Sequence, residues 1–304
     1  MKIAYFDCFA GISGDMTLGA LIDAGADPDR LRQGLAGLGV AGYRIEVGKR
    51  MIGPISATDV RVLLDPLHGP HERRLQDILG IVRAAELSGA VKRTAEDIFR
   101  RLAEAEGRVH GRSPEEVHFH EVGAIDAIVD IVGSALCLEM LGWPKVIASP
   151  MPTFHGFAKG AHGVFPLPAP AAAELLRGVP WRRMDIEGEL VTPTGAAIIT
   201  GIASEFGAFP AMTVEAIGYG AGKCDLAIPD ALRVFVGQEA AVLLLGREQA
   251  LDHGRALAVG RELGHPVVDL RAGVVAEHGQ RVDVACVLEV AGRFHRSTSP
   301  KTRS

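Results

Sequence analysis

The chain is short of several things, and each shortage removes a class of protein. Its 304 residues include four cysteines, Cys8, Cys137, Cys224 and Cys286, none of which forms a CxxC pair. That spacing argues against a cysteine-built zinc or iron–sulfur centre and against a secreted disulfide framework. Aromatic residues make up only 5%. No apolar run approaches the roughly 20 residues needed to cross a bilayer. The short apolar run after Lys2 is interrupted by Asp7 and Gly11 too early for a signal peptide. There is no basic surplus either: the formal net charge is −5, so no domain-wide surface is available to neutralise phosphates. The expectation is a cytoplasmic protein with neither a membrane nor a nucleic-acid partner.

What is present is the ordinary balance of a globular enzyme, 48% hydrophobic and 23% charged, with a core of small and aliphatic side chains. Residues 2–8 read as a buried strand, 9–15 as a glycine-bearing turn and 16–24 as a helix. Asp27 caps a second helix with Pro28 in its first turn, where the missing N–H is harmless. Residues 43–51 and 56–65 read as a hairpin turning at Ile52-Gly53-Pro54. Residues 75–109 are helical in two pieces broken near Ser88-Gly89. Val122, Ile125, Val129, Val132 and Leu136 recur at helical spacing, which predicts a core-packed helix over 121–141. A strand over 145–149, helices near 171–176 and within 191–206, and strands over 212–219 and 232–236 follow. The alternation predicts a layered α/β domain with a mixed sheet.

Four blocks carry residues fit for chemistry. In Asp7-Cys8-Phe9-Ala10-Gly11-Ile12-Ser13-Gly14-Asp15, a strand, a turn and a helix start present N–H groups suited to a phosphate. Gly11, Ser13, Gly14 and Asp15 are candidate contacts, and Asp7 is a candidate for a metal or a ribose hydroxyl. The competing reading is a tight turn with Ser13 or Asp15 as N-cap. In His118-Phe119-His120-Glu121, followed by Asp126 and Asp130, two imidazoles and three carboxylates fall within thirteen residues. That set suits nickel, zinc, manganese or iron. Two like carboxylates four apart on a helix repel unless something positive lies between them. The competing reading is a solvated face. The stretch 155–170, with two His-Gly pairs and three alternating prolines, reads as a stiff, poorly hydrogen-bonded loop framing a site, His162 included. Glu189-Leu190-Val191-Thr192-Pro193-Thr194-Gly195 starts a helix capped by Thr192, leaving the Thr194 and Gly195 N–H groups free as a second anion site, or is simply a well-capped buried helix.

Taken in order, the blocks YFDCFAGISGDMTLGALIDAG, HFHEVGAIDAIVDIVG, AHGVFPLPAPAAAELLRG and ELVTPTGAAI, with Gly218-Tyr219-Gly220-Ala221-Gly222, resemble the LarC nickel-insertion proteins. These are also called pyridinium-3,5-bisthiocarboxylic acid mononucleotide nickel chelatases. The resemblance covers residues 1–237. It implies a lyase-class nickel insertase that completes the nickel-pincer nucleotide cofactor of lactate racemase, with CTP and Mn2+ required. The expected partners are the pincer nucleotide, a client racemase and further copies of the chain in a homo-oligomer. The family does not assign a ligand role to each residue. On chemical grounds His118, His120, Glu121, Asp126 and Asp130 are the expected metal ligands, with Glu121 or Asp126 accepting the ring proton.

The resemblance stops at Gln238. The family continues into a C-terminal half that opens near ETNIDDM and is credited with CTP and manganese binding; residues 238–304 show nothing like it. They are expected to form a poorly ordered tail, from an unshifted frame where relatives use a programmed frameshift, or from a broken gene. Two alternatives to the insertase therefore stand. One is a non-catalytic nickel-delivery module; the weaker is a metal-dependent phosphohydrolase.

Overall fold

A computed structural model of the chain describes residues 1–65, 73–119, 125–160 and 163–240, without the side chain of His118. The first strand, β1 (Lys2–Asp7), shows how the layers form. Its alternate residues Ala4 and Phe6 enter the main core, while Ile3 and Tyr5 join Ile147 in a small cluster on the opposite face. Helices α1 (Gly14–Asp23) and α2 (Pro28–Ala36) follow, the latter capped by Asp27 with Pro28 at its start, as the sequence implies. The hairpin is β2 (Tyr43–Ile52) and β3 (Ile55–Leu64), paired residue for residue from Tyr43↔Leu64 to Ile52↔Ile55. Next come the short β4 (Arg73–Arg74), α3 (Leu75–Ala84) and α4 (Gly89–His110), broken at Ser88, which caps α4. A 3-10 turn at Pro114–Glu116 leads to β5 (His118–Phe119), which pairs with β4.

The long core helix is α5 (Ile125–Met140), with Ile128, Val129, Ile131 and Val132 fully buried. Residues 121–124, expected to begin it, lie outside the described residues. The chain then forms β6 (Lys145–Ala148), β7 (Met151–Pro152), β8 (Phe157–Gly160), β9 (Gly163–Pro166), α6 (Pro170–Leu175), β10 (Trp181–Arg182), α7 (Pro193–Ile202), β11 (Glu205–Phe206), β12 (Met212–Ala221) and β13 (Ala231–Glu239).

Seven strands form a mixed sheet in the order β11-β6-β1-β13-β12-β3-β2, with β1 parallel to β6 and antiparallel to β13. The expected layered α/β domain with a mixed sheet is what the chain adopts. Helix α1 packs across β12, β3 and β13 and against α5, which in turn meets α2, α4 and α7. That stacking puts the starts of α1, α5 and α7 in one corner.

One expectation needs correction. The stretch 155–170 is not poorly hydrogen-bonded: β8 and β9 pair from Phe157↔Pro166 to Gly160↔Gly163. Pro166 falls at a strand end, where a missing N–H costs little. The helix expected within 191–206 is Pro193–Ile202, capped by Thr192, and Glu205–Phe206 pairs with β6 at the sheet edge. Strand β13 runs to Glu239, so residues 238 and 239 of the expected tail are strand residues; residues 241–304 lie outside the described ones. No helix among the described residues is long and apolar enough to cross a membrane.

Candidate functional site

Two loops make the corner. The Gly11 N–H donates to Cys8 O at 3.0 Å and the Ile12 N–H to Leu190 O at 2.9 Å, while the Thr192 N–H donates to Ile12 O at 3.2 Å. Ile12 and Val191 thus form a parallel bridge that sets the starts of α1 and α7 side by side. Ser13 caps α1 from an extended backbone, its Oγ accepting from the Met16 N–H at 3.4 Å and donating to Asp15 Oδ1. Thr192 caps α7, its Oγ1 accepting from the Gly195 N–H at 3.1 Å. The expectation that this N–H is free is therefore corrected: the cap takes it, and Gly195 serves the packing. A Cβ there would sit 2.2 Å from Ile12 O. Gly14 does the same between helices, since its Cβ would lie 2.2 Å from Asp130 Oδ2. Of the turn's candidates, Gly11 and Gly195 shape the backbone behind the cavity without lining it.

A cavity of about 300 Å³ opens at this corner. Ser13, Gly14 and Asp15 reach it from the start of α1, Asp126 and Asp130 from α5, and Thr192 and Thr194 from α7. Residues more than a hundred positions apart in the chain are thereby brought together. Asp7 is not among them. Its carboxylate accepts from Arg233 Nε at 3.0 Å and Nη2 at 2.5 Å, an ion pair across β1 and β13. His120, Glu121 and His162 lie outside the described residues, and of His118 only the strand backbone is described. Among the described residues no group of three or more His, Cys, Asp or Glu side chains is placed to hold a metal ion. Asp126 and Asp130 are the described part of the expected cluster.

The electrostatics single out Asp130. Its Oδ1 is shut off from solvent and meets no hydrogen-bond donor among the described residues. Burial, reinforced by the Asp15 and Asp126 carboxylates and opposed by Lys223, pushes its pKa well above the ordinary carboxylate range. Asp126 is exposed, with its Oδ1 accepting from the Ala127 N–H at 2.9 Å. Asp15 is tied on both oxygens, Oδ1 accepting from the Met16 N–H at 2.9 Å and Oδ2 lying 2.7 Å from Lys223 Nζ.

Four further polar wall residues were not among the site candidates of the sequence: Glu189, which opens the fourth block, Lys223, Cys224 and Asp230. Lys223 follows β12, and its neighbours are pinned: the Gly222 N–H donates to Asp230 O at 2.8 Å and the Cys224 N–H to Asp230 Oδ2 at 2.7 Å. Burial pushes the Asp230 carboxyl up, with the Cys224 N–H opposing it. The Cys224 thiol is raised too, by burial and then by Asp230, Glu189 and Asp15, so it is held as a thiol. The glycine-rich end of β12 was the available signal, since such an end lets backbone approach a neighbour closely.

Fold and corner together define a mixed-sheet α/β protein with an acidic cavity where three helices begin. Comparison with known proteins narrows that class. Residues 4–260 match the family described as nickel insertion protein, and the chain belongs to that family. The match continues past Gln238. A putative nickel insertion protein of Dictyoglomus thermophilum is 48% identical over 238 residues, 78% of this chain and 61% of that protein. A pyridinium-3,5-bisthiocarboxylic acid mononucleotide nickel insertion protein of Desulfitobacterium hafniense is 51% identical over 238 residues, covering 78% and 59%. One of the same name from Acetivibrio thermocellus is 47% identical over 246 residues, covering 78% and 60%. The chain thus spans about 60% of the length of these curated relatives. No solved structure matches it.

Proposed function

We propose that this chain holds nickel in the α1–α5–α7 cavity and inserts it into pyridinium-3,5-bisthiocarboxylic acid mononucleotide, giving the nickel-pincer nucleotide cofactor. The observation that carries the reading is Asp130, a wall residue of this cavity whose buried Oδ1 meets no donor among the described residues, in a member of the nickel insertion family. Such an oxygen is costly to bury unless a proton or cation meets it. Asp126, one helical turn earlier and exposed, supplies a second oxygen at the mouth. His118, His120 and Glu121, which precede α5 in the chain, complete the proposed ligand set. Oxygen and imidazole donors suit a first-row divalent ion without caging it as thiolates do. The ion can then pass to the sulfur donors of its acceptor.

In the transfer, nickel exchanges these ligands and its water for two thiocarboxylate sulfurs and one ring carbon. The carbon–nickel bond replaces a carbon–hydrogen bond, whose proton leaves to a carboxylate, Asp126 or Glu121. The nucleotide's phosphate is assigned to the hydroxyls of Ser13, Thr192 and Thr194 beside the uncharged start of α7. His162 is assigned to the same nucleotide. Asp7, already committed to Arg233, takes no part. CTP and Mn2+ are proposed requirements of the insertion, and a C-terminal half of the kind the family resemblance implies is a proposed partner. The chain is proposed to act in the cytosol as a homo-oligomeric, lyase-class enzyme serving a racemase client.

The test mixes the purified chain with Ni2+, the pincer nucleotide, CTP and Mn2+, with and without a relative's C-terminal half, and follows the nucleotide by mass spectrometry. The expected product has gained one nickel and lost the ring proton, and its formation depends on the added half. Nickel bound with no product under any combination identifies a delivery module instead. Phosphate release without nickel transfer identifies a phosphohydrolase.

A further inference from the structure

Lys223 puts a positive charge into a cavity built for one. Among the described wall residues, Asp15, Asp126, Asp130, Glu189 and Asp230 contribute carboxylates and Lys223 the ammonium. Its root is fixed, because Asp230 binds the backbone on both sides through the Gly222 and Cys224 N–H groups. Its tip reaches solvent: the side chain is 59% exposed while its partner Asp15 is 14% exposed. Nζ lies 2.7 Å from Asp15 Oδ2, and its charge also acts on Asp130 and Asp59. Burial pulls the ammonium's pKa down, but Asp15, Asp130 and Asp59 together outweigh it and leave it above its ordinary value. Asp130 shares the cavity wall with this pair, and its buried Oδ1 meets no donor among the described residues.

We propose that Lys223 is a tethered counter-ion that holds the place of a divalent cation beside Asp15 and Asp130 and swings to solvent when the metal enters. The proposal rests on the reading of this cavity as the nickel site. A lysine suits the part, since its ammonium is a compact charge on a flexible stem, whereas an arginine fork would grip the carboxylate in a fixed plane. The lysine's return on metal departure restores the Asp15 pair, so the empty cavity is not left with its carboxylates facing one another. The consequence is deliberate weakening: each nickel ion must displace an ammonium to bind, and that keeps the ion transferable to the nucleotide.

The test is calorimetric titration of Ni2+ into the metal-free full chain, for the wild type, Lys223→Met, Lys223→Gln, Lys223→Arg and Asp130→Asn, with melting curves for each. Removing a unit positive charge a few ångströms from a divalent ion, screened by partial exposure, is expected to tighten binding about tenfold in Lys223→Met and Lys223→Gln. Lys223→Arg keeps the charge and grips the carboxylate more firmly, so it is expected to bind nickel no more tightly than the wild type, and Asp130→Asn is expected to bind at least about tenfold more weakly. If Asp130→Asn weakens binding while both neutral variants bind as the wild type does or worse, the counter-ion role is wrong and the metal site stands. If Asp130→Asn binds nickel normally, the cavity is not the metal site and both fall. Titration with adenosine monophosphate covers the rival role: loss of its binding in Lys223→Met with nickel affinity unchanged makes Lys223 a phosphate anchor and overturns the proposal.

Discussion

The starts of α1 and α7 lie side by side and are made from the same parts: an extended hydroxyl residue as cap, a loop bridged through Ile12 and Val191, and a glycine pressed against the other's neighbourhood. Their first turns differ in charge. In α1 that turn carries Asp15, held by Lys223, so the helix dipole is already answered by a carboxylate. In α7 it carries Pro193 and Thr194 and no acidic residue. One corner therefore presents two adjoining surfaces, one acidic toward α5 and one, at the start of α7, without an acidic residue in the first helical turn. A nucleotide carrying a phosphate at one end and receiving a metal at the other needs that pairing. A helix start is an anion site only when its own sequence has not already filled the role.

The comparison can be broken most severely at its glycines. Gly195→Ala puts a Cβ 2.2 Å from the backbone oxygen of Ile12, which has nowhere to yield. We expect a loss of about 3 kcal/mol in urea unfolding. Gly14→Ala meets the Asp130 side chain instead, which gives way in part, and should cost about 1–2 kcal/mol. Equal costs would mean the two interfaces are not differently built.

Asp130→Asn should stabilise the metal-free protein, and the sign can be worked out. Because the folded carboxyl is raised above its unfolded value by burial and by Asp15 and Asp126, the native state holds its proton longer. That contribution is full below the unfolded value and is lost as pH rises through the folded one. The variant's melting point should match the wild type near pH 4 and exceed it progressively toward pH 8. A gap that shrinks with rising pH would contradict the burial of this charge.

The smallest effects separate the two caps. Thr192→Ala should cost about 1 kcal/mol, as loss of a cap usually does. Ser13→Ala should cost less, about 0.5 kcal/mol, because the Met16 N–H keeps Asp15 Oδ1 as an acceptor at 2.9 Å. Chemical-denaturation midpoints of both variants decide it, and a larger loss for Ser13→Ala would show that Asp15 is no substitute cap.

Much of the fold was legible because it is written in local chemistry. Asp27-Pro28, Ser88-Gly89 and the Gly53-Pro54 turn mark boundaries through caps and backbone limits that act within a few residues. What was not legible depends on sequence-distant pairing. Glu205–Phe206 is a strand only because β6 offers an edge, and β8–β9 is a hairpin that ends on Pro166, the first of the three prolines that made the stretch read as a loop. The site divides in the same way. Ser13, Asp126, Asp130 and Thr192 sit in motifs that announce a helix start or a helix face. Lys223 and Asp230 enter the cavity because β12 and β13 are adjacent in the sheet, a fact no local pattern carries. The same lack hid the partner of Asp7, since Arg233 lies 226 residues away.

The central claim is that the cavity's acidic side holds nickel through Asp130. Crystals of the full chain grown with Ni2+ and recorded at the nickel absorption edge test it most directly. The account predicts an anomalous peak roughly 2 Å from Asp130 Oδ1, with Lys223 Nζ turned away from Asp15. A nickel peak elsewhere on the molecule, with Asp130 Oδ1 still unmet and Lys223 still on Asp15, would contradict it.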